Sequence, residues 1–320
     1  MKNKSLLVTA GLVILAADVQ AQLPIDGVHY PAGLEGIKGG SLPEPGIYFR
    51  DDNLFYTGTS DLLSDFKTFV YLQAPHLTWM TDWKILGANY GMDVLVPFVY
   101  KEASYHEILA LPGGRQINRS VNNSRFGIAD IQIEPLLLSW HLKQFDFRAG
   151  YALWVPTGDY DNTSLVNANL GDGCWTHMMT LGGVWYPDHD KTWAVSLLNR
   201  IEFNSQVPGI RLGPTTPGGG YSTPTGENVP CSTYTLEWGI SKAIIEDTDV
   251  GVAGYYQQQF TDHDAATTLF TDSSVVGIGP EIRTFIPRWG LSGSLRCVCE
   301  FAADNRPQGN TINLMLMKQF

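Results

Sequence analysis

The chain is short of basic residues, of cysteine and of long apolar runs. Twenty-one Lys and Arg stand against thirty-two Asp and Glu, a formal charge of −11 over 320 residues. Such an acidic excess argues against a nucleic-acid partner and against a polybasic membrane-surface protein. The four cysteines, Cys174, Cys231, Cys297 and Cys299, include no CxxC pair and no Cys/His cluster at zinc spacing. No metal site is expected from them. Neither HExxH nor GxSxG occurs, so no catalytic residue and no cofactor are expected. Past the first residues, no run approaches the ~20 apolar residues that a spanning helix needs.

One apolar run does occur, at the N-terminus. A basic MKNK precedes SLLVTAGLVILAA, and VQA precedes Gln22 with small residues Val19 and Ala21 at the −3 and −1 places. Residues 1–21 therefore read as a cleaved secretory signal. Export permits disulfides.

What the chain does have is glycine, 33 residues in all, aromatic residues, and short segments of alternating polarity. Twelve candidate strands run over 46–56, 67–79, 84–100, 126–140, 145–156, 173–186, 192–205, 231–244, 249–261, 274–287, 290–303 and 310–320. The connections alternate strictly between short and long. MTDWK, HLKQ, PDHDK, EDTD and RW are short; part of 101–125, then 157–173, 206–230 and DHDAATTLFTDS are long. Short turns at one end and long loops at the other are the asymmetry of an outer-membrane barrel. The expected fold is all-β: a single closed antiparallel transmembrane β-barrel of about 12 strands, with short periplasmic turns and long external loops. The expected organisation is a signal at 1–21, an N-terminal periplasmic or plug segment at 22–45 and the barrel at 46–320. Its location would be the outer membrane of a Gram-negative bacterium, with lipid as its surroundings.

Face parity supports this. In FDFRAGYALWVP, Phe145, Phe147, Tyr151 and Leu153 share one face and Asp146 and Arg148 the other. In WAVSLLNRIEF, Trp193, Val195, Leu197, Ile201 and Phe203 oppose Ser196, Arg200 and Glu202. An apolar face turned to lipid puts the charged face in the lumen. The predicted inward belt is Asp130, Glu134, Asp146, Arg148, Arg200, Glu202, Glu237, Glu281, Arg283, Arg296 and Glu300. Two readings stay open: a charged constriction that selects solutes, or a structural network of paired acids and arginines. Tryptophans 79, 83, 140, 185, 193 and 289 cluster by the short turns, and Trp154 and Trp175 flank a long loop. That is the placement of interfacial indoles.

The final strand, NTINLMLMKQF, alternates at period two and ends on phenylalanine. It is needed to close the barrel against the first strand, since an open edge in hydrocarbon leaves backbone groups unpaired. Ile312, Leu314, Leu316 and Phe320 resemble a C-terminal assembly signal, which makes the barrel-assembly machinery an expected partner. Lys318 departs from that pattern and is expected to snorkel. Cys174 and Cys231 both fall near the outer rim and form a candidate disulfide.

TDWKILGANYG, VPTGDYD, NLGDG, GISK, GYYQQQFTDHD and VVGIGPEI, in this order, resemble the outer-membrane proteins named for the phenol-degradation meta-pathway, which include sphingosine-induced (SphA-like) members. The resemblance covers most of residues 30–320. It implies a transmembrane barrel that passes small hydrophobic or aromatic compounds across the outer membrane. A blocked structural or ligand-binding barrel is the alternative. An outer-membrane lipid enzyme using Thr176 and His177 is a more distant one.

Further features admit two readings each. Loop 206–230 either folds inward or stays exposed. The segment 31–46 is a lumenal plug or a periplasmic tail. Each DHD, at 188–190 and 262–264, binds calcium or is a solvated turn. Pro135 and Pro280 lie inside strands, where proline removes a ladder bond, and mark a bulge, a lateral opening or only a bend.

Overall fold

The computed structural model describes residues 28–61, 65–111, 115–161, 168–205, 207–208, 228–229, 231–261 and 272–320. The signal at 1–21, most of loop 206–230 and the second DHD lie outside the described residues.

Alternating side chains give the chain long antiparallel strands, and these close on themselves. The strands are β1 (Gly46–Ser60), β2 (Phe66–Ile85), β3 in two pieces, β3a (Ala88–Leu95) and β3b (Phe98–Leu111), and β4 likewise, β4a (Arg115–Ile128) and β4b (Ile131–His141). They continue as β5 (Phe145–Val155), β6 (Thr176–Trp185), β7 (Trp193–Asn204), β8 (Cys231–Ile245), β9 (Thr248–Thr261), β10 (Ser273–Ile286), β11 (Leu291–Asp304) and β12 (Gln308–Gln319). Each pairs with the next, and β1 pairs with both β2 and β12. The closing register runs from Tyr48 opposite Gln319 to Thr59 opposite Gln308, and the Phe320 N–H donates to the Ile47 carbonyl at 3.0 Å. The edge that hydrocarbon would punish is thereby removed. A two-residue hairpin, Val207–Pro208 against Asn228–Val229, stands apart from the wall.

Parity holds on β5 and β7. On β7, Trp193, Leu197, Ile201 and Phe203 are exposed while Ala194, Ser196, Leu198, Arg200 and Glu202 are buried. Phe145 and Phe147 face out, and Asp146 and Arg148 face in. Trp79, Trp83, Trp175, Trp185, Trp193 and Trp289 are exposed, and Trp140 Nε1 donates to the Leu86 carbonyl across a short turn at 3.1 Å. Trp154 departs from the interfacial expectation: it points inward and is buried. Lys318 reaches the Trp289 carbonyl, so its ammonium finds a backbone partner at the short-turn end.

Two connections differ from the sequence expectation. MTDWK is not a turn. β2 runs through it with a register shift between Met80 and Lys84, and the turn is the Leu86–Gly87 pair, both at positive φ (52° and 81°). Two left-handed residues suit the twist of a tight hairpin. The polar residues of MTDWK come from the bulge and not from a loop. Similarly, much of 101–125 is strand, since β3b and β4a pair from Phe98 opposite Ile128 to Leu111 opposite Arg115. Charged and polar residues appear at both parities there, which hid the period.

The third and fourth strands break side by side, at Val96–Pro97 and Ala129–Asp130. Pro97 has no N–H to donate. Its carbonyl accepts from Ala129 N at 2.9 Å, and Val96 N donates to Pro75 at 3.1 Å. Beyond the break, β4a pairs with β3b alone among the described residues. Of the two prolines singled out, Pro135 sits at a register shift between β4b and β5, while Pro280 keeps its place opposite Val252.

Candidate functional site: a lumen filled by the N-terminal segment

Residues 28–45 are rich in glycine and proline, and their only regular structure is one 3-10 turn, Gly36–Lys38. Gly33 and Gly36 take φ of 82° and 76°. Such a segment cannot satisfy its own backbone groups, and burying them unpaired is costly. The structure places it inside the barrel, from His29 near the long loops to Ser41 near the short turns.

The charged belt supplies the missing partners. Glu202 accepts from Tyr30 N at 3.1 Å. Glu237 accepts from Gly33 N at 3.0 Å and Glu35 N at 3.2 Å, and Glu281 accepts from Ile37 N at 2.9 Å. Arginines take the carbonyls: Arg50 and Arg296 both donate to Leu34 O, at 3.0 and 2.9 Å, and Arg148 donates to Gly39 O at 3.0 Å. The wall thus does for this segment what a neighbouring strand does in a sheet. Room is made by small wall residues: a Cβ on Gly239 would lie 2.5 Å from the Ile37 Cα.

Side chains fix the segment as well. Glu35 is held by three arginines, with Arg50 Nη1 at 2.6 Å, Arg200 Nη2 at 2.8 Å and Arg148 Nη1 at 3.4 Å. Burial alone would raise the Glu35 pKa, but the three guanidiniums outweigh it and hold the carboxyl well below the usual range. Tyr30 donates to Glu237 and lies under Arg200. Lys38 pairs with Asp249 at 2.6 Å, and Ser41 donates to Asp146 at 2.9 Å. His29 sits between Asp130 (2.8 Å) and Asp172 (3.3 Å) and stacks on Trp154. Burial would lower the His29 pKa; Asp172, Asp130 and Glu202 together reverse this and raise it.

Nine of the eleven predicted belt residues are buried: Asp130, Glu134, Asp146, Arg148, Arg200, Glu202, Glu237, Glu281 and Arg296. Arg283 is half-buried on the lower cavity, and half-buried Glu300 binds Tyr56, Tyr255 and Gly309 N higher up. Sequence reasoning missed Arg50, Asp52, His76 and Asp93, and gave no roles to His29, Tyr30 and Glu35. The β1 parity was obscured because Asp51 and Asn53 carry polar groups on the opposite face, where they bond Gln73 and Tyr71. Cys174 and Cys231 are buried and packed together at the rim, where Asn204 donates to the Cys231 sulfur at 2.7 Å. Thr176 and His177 face opposite sides of the wall: Thr176 is fully buried, while His177 bonds Tyr151 on the outer face.

Two cavities flank the segment. The upper, about 310 Å³, is lined mainly by apolar groups including Leu54, Leu72, Leu95, Val99 and Trp154. The lower, about 290 Å³, is lined by Arg50, Arg148, Arg200, Arg283, Asp93 and Glu134 among others. Tyr30, Leu34, Leu95 and Trp154 border both.

A closed barrel with a lipid-facing apolar surface and a charged, chain-filled lumen is an outer-membrane β-barrel protein. Residues 51–316 match the family described as "Putative MetA-pathway of phenol degradation", and the chain belongs to that family. Its fold is similar to that of a crystallised outer membrane channel from Pseudomonas putida F1, with 14% identity, a TM-score of 0.65, and coverage of 91% of this chain and 99% of that one. The β domain of the Bordetella autotransporter BrkA is a more distant likeness, with 11% identity, a TM-score of 0.46, and coverage of 87% and 100%. None of the curated proteins matches the chain.

Proposed function

We propose that the protein lets small hydrophobic or aromatic solutes cross the outer membrane by passive diffusion. The upper cavity carries this reading. An apolar cavity of about 150 Å³ can hold benzene, and the upper one, at about 310 Å³, is larger and walled by Leu54, Leu72, Leu95 and Trp154. A solute collected there meets Tyr30 and Leu34, so onward passage requires residues 28–45 to shift or leave. The family's description agrees with an aromatic solute.

The filled lumen favours a competing reading, a barrel that stays closed and serves structure or ligand binding. Uptake and growth at low concentrations of aromatic compounds, in cells with and without the protein, separate the two. Passage predicts slower uptake in the deletion, restored by complementation; unchanged uptake favours the closed barrel. Thr176 and His177 face opposite sides of the wall, which favours conduction over catalysis. We also propose that β12, with Ile312, Leu314, Leu316 and Phe320, presents the chain to the barrel-assembly machinery; Ile312, Leu314 and Leu316 share the exposed face of that strand.

A further inference from the structure

Adjacent residues Leu34 and Glu35 make opposite kinds of contact. Leu34 joins the buried apolar cluster of Leu54, Leu72, Leu95 and Trp154 that walls the upper cavity. Glu35 places both carboxylate oxygens on Arg50, Arg148 and Arg200. Together they present an apolar body joined to a carboxylate, held where the two cavities meet.

The arginine set is larger than Glu35 needs. Arg50 is already matched by Asp52, at 2.6 and 3.2 Å. Arg148 Nε and Arg200 Nη1 are buried with no hydrogen-bond partner, on side chains each 4% exposed. Unsatisfied buried guanidinium donors are costly in a closed structure and point to a ligand. The lower cavity is lined by Lys38, Arg50, Arg148, Arg200 and Arg283 against Glu35, Asp93 and Glu134. Asp52 already answers Arg50 and Asp249 answers Lys38, so without Glu35 the remaining Arg148, Arg200 and Arg283 would face Asp93 and Glu134. That is a cationic site inside a protein whose formal charge is −11.

We propose that Arg50, Arg148 and Arg200 form a carboxylate-binding site for aromatic monocarboxylates, and that Glu35 occupies it in the closed state as an internal stand-in. The inference rests on the passage reading and narrows its solute class to ring-bearing acids. An entering acid puts its ring among the apolar residues beside Trp154 and its carboxylate on the three guanidiniums. Displacing Glu35 frees the segment at its most heavily bonded point.

The test uses the mature protein in detergent and in liposomes, with 3-phenylpropionate and its neutral analogue 3-phenylpropanol as probes. E35Q vacates the site of charge while keeping its shape, and E35D retains the carboxylate. A tethered Glu35 competes at an effective concentration of order mM, so E35Q is expected to bind 3-phenylpropionate about tenfold or more tighter than wild type. Tryptophan fluorescence reads this, because Trp154 borders both cavities. Phenylpropanol binding should be unchanged, and E35D should behave as wild type. R148Q in the E35Q background should abolish the gain. Heat-modifiable migration on gels reports that each barrel is folded. If E35Q fails to fold, competition of the acid against the alcohol in wild-type protein decides instead, and equal affinity overturns the proposal. Equal gains for acid and alcohol in E35Q also overturn it and leave Glu35 as a latch. If both compounds enter liposomes without preference, passage stands and this inference fails. If the acid binds preferentially but neither compound permeates, the site stands and passage fails.

Discussion

The guanidinium carbon of Arg200 lies 3.9 Å from the centre of the Tyr30 ring, and the Tyr30 hydroxyl donates to Glu237 on the adjacent strand. One lumenal side chain thereby bridges β7 and β8 through a cation–π contact and a charge-assisted bond. Tyr30→Phe keeps the ring and removes the bond. It is expected to weaken docking of residues 28–45 by roughly 1.5–3 kcal/mol, the range for hydrogen bonds to charged groups. Hydrogen exchange of Tyr30–Lys38 should accelerate while exchange in β7 and β8 stays slow.

A bulkier residue at Gly239 tests whether the segment and the wall are in steric contact. The ideal Cβ falls 2.5 Å from the Ile37 Cα, and backbone at that distance has no room to yield. Gly239→Val is expected to expel the segment while the barrel still closes, because a β-branched residue suits a strand. Proteolysis before Gly46 with an intact heat-modifiable barrel is the expected result; full protection would count against it.

Alkaline pH should loosen the segment at His29. Its pKa is raised when docked, so the proton is bound more tightly there than in the undocked chain. The stabilisation is complete below about 6.5, the ordinary histidine value, and is lost as pH rises through the raised docked value. Conductance in planar bilayers should therefore increase on going alkaline, and His29→Gln should flatten that rise.

The lipid face is tested at Leu197, which is 52% exposed, next to Leu198, which is 1% exposed. Leu197→Arg is expected to destabilise the barrel by about 2–4 kcal/mol if it sits near the bilayer midplane. Urea unfolding from lipid vesicles measures this.

Much of this architecture was legible because the strands obey period two under a strong constraint. Lipid outside and charge inside leave Trp193, Leu197 and Ile201 on one face and Arg200 and Glu202 on the other. Legibility failed where that constraint lapses. β3b and β4a have polar residues on both faces, so their pairing could not be read. Asp51 and Asn53 masked the parity of Arg50 and Asp52. Above all, the partner of the charged belt was hidden. The sequence placed Glu202, Glu237 and Glu281 on one inward ring, yet each accepts from a backbone N–H of residues 30–37. Backbone donors carry no sequence signal, and a segment rich in glycine and proline has no period.

The paired interruption at Val96–Pro97 and Ala129–Asp130 also bears on how the molecule meets the bilayer. β2 has 20 residues, ~66 Å at ~3.3 Å per residue, which is far more than a ~25 Å apolar band requires even with strong tilt. On the hairpin beyond the interruption, the far edge of Arg115–Ile128 meets no strand among the described residues, and Arg125 instead grips Asp159 and Asp161. Amide groups along such an edge need water or loop partners, so the hairpin must rise clear of the acyl chains. Pro97 and Asp130, at the base of that hairpin, both line the apolar chamber, so the chamber lies directly beneath the part of the wall that needs water.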